Sequence, residues 1–64
     1  MNVAELTEII HRRDSLLEQR RRYSQLYTAS DFAERPLFDR FMIVRRLGDI
    51  TAEIIAIDTQ LQEA

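Results

Sequence analysis

Three observations predict an all-α fold, an antiparallel two-helix hairpin of coiled-coil type that dimerises into a four-helix bundle. Ile43, Leu47, Ile50, Ile54, Ile57 and Leu61 recur at alternating spacings of four and three residues. That rhythm holds side chains on one narrow helical stripe, the kind that lies against another helix. A matching apolar face runs through residues 3–27. One Gly and one Pro, with 45% hydrophobic and 31% charged residues, suit long helices rather than a disordered tail.

The first helix is expected over about residues 3–27, with Asn2 as its N-cap and Glu5 completing a capping box. Glu5 and Glu8 fall near its start and Arg20, Arg21 and Arg22 nearer its end, as the helix dipole favours. The connector, about 28–35, opens with Thr28-Ala29-Ser30-Asp31, small and polar residues that stop helices. Asp31 and Glu34 suit one short capped turn within it. Pro36 then restarts the chain as a first helical residue and keeps Arg35 out of the α region. The second helix is expected over about 36–62, with Gly48 inside it marking either a close helix crossing or a tolerated cost. Two helices of similar length around a short bend fold back as one hairpin domain, residues 1–64.

Size then limits what such a hairpin can do. A chain of 64 residues buries only ~60% of its unfolded surface, so folds this small lean on disulfides, metals or partners. There is no Cys, and a lone His11 does not organise a metal site. Association with another chain is the stabiliser that remains. No cofactor is expected. A net charge of −2 argues against a dedicated nucleic-acid domain. No apolar run is long enough for a membrane span, and the acidic opening Met-Asn-Val-Ala-Glu-Leu is unlike a secretory signal. A cytoplasmic protein is the expectation.

The apolar residues divide unevenly. On the first helix Leu6, Ile9, Ile10, Leu16, Leu17, Tyr23, Leu26 and Tyr27 form one broad face, with Arg13 and Arg20 in its middle. The stems of these arginines are expected to pack along the stripe with their heads in solvent or at a nearby carboxylate; the sharper alternative is ion pairing across helices to Asp49, Glu53 or Asp58. The second helix carries Leu37, Phe38, Phe41, Met42, Val44 and Ile55 away from its seam, more than one partner helix covers. Self-association is therefore assigned to Leu6, Ile10, Leu17, Leu47, Ile50, Ile54, Ile57 and Leu61.

Arg20-Arg21-Arg22 is the one cluster suited to phosphates or an acidic surface, but three consecutive residues spread around a helix and Asp14 and Glu18 interrupt them. Every aromatic residue lies within 23–41 and so near the bend. Tyr23, Tyr27, Phe38 and Phe41 are expected to form a small core there. Phe32 is balanced between that core and a partner contact. Contact with another protein is assigned to Arg20, Arg21, Arg22, Phe32, Arg35 and Phe38. His11, Asp14 and Ser15 are close in sequence, yet a triad needs a pocket, and no cavity of the ~300 Å³ that small molecules require is expected in a two-helix rod.

These readings converge on a small non-enzymatic interaction module, an adaptor, chaperone-like protein or regulator that works by packing helices on a partner protein. The second reading is a dimeric nucleic-acid-associated regulator with an arginine-rich face. In size and hairpin plan the chain resembles small helical adaptors, among them the co-chaperones of bacterial type III secretion needles and phage-encoded inhibitors of host regulators. The likeness is one of architecture, and no motif carries residues across.

Overall fold

Helix α1 spans Val3–Thr28 and helix α2 spans Leu37–Glu63 in the computed structural model, which describes residues 1–63. A short 3-10 turn, Phe32–Glu34, lies between them, and no strand occurs among the described residues. The two helices pack side by side as an antiparallel hairpin, 47 Å long and 14 Å across. No described helix is long and apolar enough to cross a membrane.

Asn2 caps α1 as its type and position require. Its Oδ1 accepts from the Glu5 backbone N–H at 2.8 Å, satisfying one of the free amides of the first turn. The expected capping box closes differently, since the Glu5 carboxylate accepts from the Asn2 side-chain amide at 3.3 Å. The helix runs one residue beyond the expected end at 27, and Thr28 turns its hydroxyl back to the Ser24 carbonyl at 2.9 Å. No basic residue lies in that last turn, so Arg20, Arg21 and Arg22 sit too far back for a strong dipole effect.

The connector reverses the chain without a left-handed residue among those described. Ala29 is extended, the amide of Phe32 donates to the Ala29 carbonyl, and Arg35 donates to Phe32 at 3.1 Å. Asp31 stands before the 3-10 turn but makes no side-chain cap, contrary to expectation. Arg35 is extended at φ −69 and ψ 150, the conformation a following proline imposes. Pro36 itself lies one position outside α2, against an expected start at about 36. Its carbonyl accepts from the Arg40 amide at 3.1 Å, so it ends the connector and opens the helical hydrogen-bond ladder. At the other end α2 extends to Glu63 rather than 62.

The seam on α2 is the six-residue stripe of the sequence. Ile43, Ile50, Ile54 and Ile57 are buried, with Ile50 only 1% exposed, and Leu47 and Leu61 are half-buried. The broad face expected on α1 divides in two. Leu16 is buried and Ile9, Tyr23 and Leu26 are half-buried, whereas Leu6, Ile10, Leu17 and Tyr27 stay exposed. A helix packed on one neighbour covers a limited arc, and residues one position off the seam turn about 100° out of it. Five buried side chains at ~1.5–3 kcal/mol each make a thin core for two long helices.

Ile50→Ala should therefore lower unfolding free energy by about 2–5 kcal/mol, and Asn2→Ala by about 1 kcal/mol, in urea denaturation at one fixed protein concentration. An unchanged midpoint for Ile50→Ala contradicts the seam described above.

Candidate interaction face

At about 100° per residue, Leu6, Ile10 and Leu17 lie roughly 60–100° round α1 from its seam. Leu37, Phe41, Val44, Gly48 and Ile55 lie roughly 100–160° round α2 from its own. Because the helices are antiparallel, the same rotational sense carries both stripes to the same side of the hairpin. Cross-helix contacts mark the two sides. Arg13 Nε lies 2.7 Å from Asp58 Oδ1 on the apolar side. Arg12 reaches Glu53 at 3.6 Å and Arg46 donates to Gln19 Oε1 at 3.2 Å on the other. That other side carries mostly charged and amide groups, with Phe38 and Met42 as its exposed large apolar exceptions.

The hairpin thus has one apolar and one polar broad side. Ile55 at 60% exposure and Phe41 at 55% are too bare to belong to the core. At the start of α2, Leu37, Phe38 and Phe41 line an open concavity of about 430 Å³. It is open to solvent and lined by three residues, so it is a surface hollow rather than the enclosed pocket of ~300 Å³ that a small-molecule site requires. The hollow lies among three large side chains on the first two turns of α2, two of them adjacent in sequence. Its lining offers apolar contact and no titratable group.

The aromatic core expected at the bend keeps Tyr27 but pairs it with Phe32 rather than with Phe38 or Phe41. Phe32 is half-buried with its ring centroid 5.1 Å from that of Tyr27, tilted at 59°, so the connector is pinned by Phe32. Tyr23 packs against the seam. Phe38 at 70% exposure and Phe41 stand outside, which corrects their expected role. Counting back from Ile43 gives the reason: five and two residues place them more than 130° from the seam.

The arginines separate as well. Arg13 adopts the ion-paired alternative, not the solvent-facing one, though its Nε–H is off the line to Asp58 and both groups are partly exposed. A pair of this kind is worth at most ~1 kcal/mol. Arg20 is exposed and forms no ion pair among the described residues. Arg21 and Arg22 both approach Glu18 Oε1, at 2.9 and 3.6 Å. Arg35 and Arg40 are half-buried, and the Nε of each has no hydrogen-bond partner among the described residues. Of the residues assigned to self-association, Leu47, Ile50, Ile54, Ile57 and Leu61 lie in the seam within one chain, and Leu6, Ile10 and Leu17 lie on the apolar side. His11 is exposed, and no cluster of potential metal ligands occurs among the described residues. No family model, curated protein or solved structure matches the chain.

The Arg21 hydrogen bond and charge, helped by Arg22, hold the Glu18 carboxyl below the usual glutamate range. A depressed folded-state pKa means the contact is intact at neutral pH and is lost as pH falls through that value. Carboxyl NMR titration should place Glu18 below an ordinary exposed glutamate, and Arg21→Ala should return it toward that ordinary value.

Proposed function

We propose that this protein is a non-enzymatic interaction module whose apolar side is buried against helices of a protein partner, completing a four-helix bundle. The observation that carries this reading is the one-sided distribution of Leu6, Ile10, Leu17, Leu37, Phe41, Val44 and Ile55. Monomers rarely leave this many large apolar side chains facing water on one side. Packing two further helices on it repeats the arrangement already present between α1 and α2, and the hollow at Leu37, Phe38 and Phe41 suits a protruding apolar anchor. Such a module acts by scaffolding or by covering a partner's surface. A nucleic-acid role finds less support, because Arg21 and Arg22 are turned to Glu18 rather than to one common face.

A photo-crosslinking residue at Phe41 should yield a discrete protein adduct in native extract, whereas one at Glu53, on the polar side, should not. No adduct at Phe41, or nuclease-sensitive adducts centred on Arg22, would remove this reading in favour of none or of the nucleic-acid one.

A further inference from the structure

Gly48 has no task inside the hairpin. A Cβ built there meets nothing within 4 Å, and its backbone is ordinary helix. Glycine is also a poor choice for a helix interior, where almost any other residue favours α2 more. Yet three independent features meet at this position. Gly48 falls within the apolar stripe between Val44 and Ile55, on the side facing away from α1. It lies near the middle of the rod, because Gln19 is opposite Arg46 and the bend and open end are then about equally distant. The charge of the hairpin also inverts there. From Glu18 to Arg46, the bend half, seven arginines stand against four carboxylates. In the remaining half two arginines stand against seven carboxylates.

From these we infer that the occupant of the apolar side is a second copy of this chain, laid antiparallel so that the two α2 helices cross at Gly48. The inference rests on the interaction-module reading and names its partner. A two-fold axis at Gly48 overlaps the rods along their full length and sets each basic half on the other copy's acidic half. A parallel pairing sets like charge on like. The same axis brings Phe41 opposite Ile55 of the second copy. It also brings Arg40, whose Nε has no hydrogen-bond partner among the described residues, to the flank that carries Asp58 of the second copy.

Without a Cβ at the crossing the helix axes approach closely, which gives Gly48 a reason that the single hairpin does not supply. A side 47 Å long and 14 Å across spans about 660 Å² between backbone positions, and the side chains that project beyond them widen it toward the ~800 Å² per partner of a stable interface. An unrelated helix could cover the apolar stripe, but it gives no reason for charge inversion and a glycine to share one midpoint.

The chain has no cysteine, so single cysteines report the register directly. Under mild oxidation an equimolar mixture of Phe41→Cys and Ile55→Cys should form the mixed 41–55 disulfide. Neither variant alone should link to itself, since equal positions then lie about 21 Å apart, beyond disulfide reach. A 41–41 link overturns the antiparallel arrangement. In sedimentation equilibrium, Gly48→Leu should weaken the dimer about tenfold or more while circular dichroism shows no loss of helix. An unweakened Gly48→Leu dimer, or wild-type protein monomeric at about 0.1 mM, overturns the inference. If the Phe41 photo-adduct with a different protein survives that result, the interaction-module reading stands. If the adduct is absent too, both fall.

Discussion

Everything in this hairpin depends on one row of branched aliphatic side chains meeting a second helix. Ile43, Ile50, Ile54 and Ile57 present a stripe only one residue wide, and Leu16 with Ile9 and Tyr23 fits against it from α1. No disulfide or described metal cluster assists that contact, and the ion pairs between the helices are partly exposed. Partly exposed pairs contribute little, so burial of apolar area has to supply most of the stability. The narrowness of the row has a second effect: it leaves the rest of both helices available.

What is left over is sorted by chemistry. One broad side holds Arg12, Gln19, Arg46 and Glu53 in cross-helix polar contacts. The other holds Leu6, Ile10 and Leu17 beside Phe41, Val44 and Ile55, interrupted mainly by the Arg13–Asp58 pair. This sorting has a simple origin. A side chain 60–160° from the seam in one rotational sense reaches the same side from either helix when the helices are antiparallel. A four-helix bundle is our proposal for how that side is covered, and the glycine at the midpoint is what makes a second copy the proposed cover.

The bend shows how a small displacement along the chain changes a residue's task. Phe32 and Phe38 are six residues apart and equally apolar, yet one packs at a tilt against Tyr27 and the other is largely bare. Pro36 separates them. It holds Arg35 extended and starts α2 with its own carbonyl, which sets the azimuth at which Leu37, Phe38 and Phe41 emerge. The open hollow between those three residues follows from that azimuth.

Much of this was legible in the residues alone. The spacing of the isoleucines identified the α2 seam, Asn2 and Glu5 identified the start of α1, and Pro36 identified the restart to within one residue. These features are local, because helical periodicity and capping depend on neighbours three or four positions away. The partition of α1 into a buried set led by Leu16 and an exposed set of Leu6, Ile10 and Leu17 was not legible. The roles of Phe32 and Phe41 and the choice of Asp58 for Arg13 were equally hidden. Each depends on the rotation of one helix about its axis relative to the other, a long-range quantity settled when the two stripes interlock.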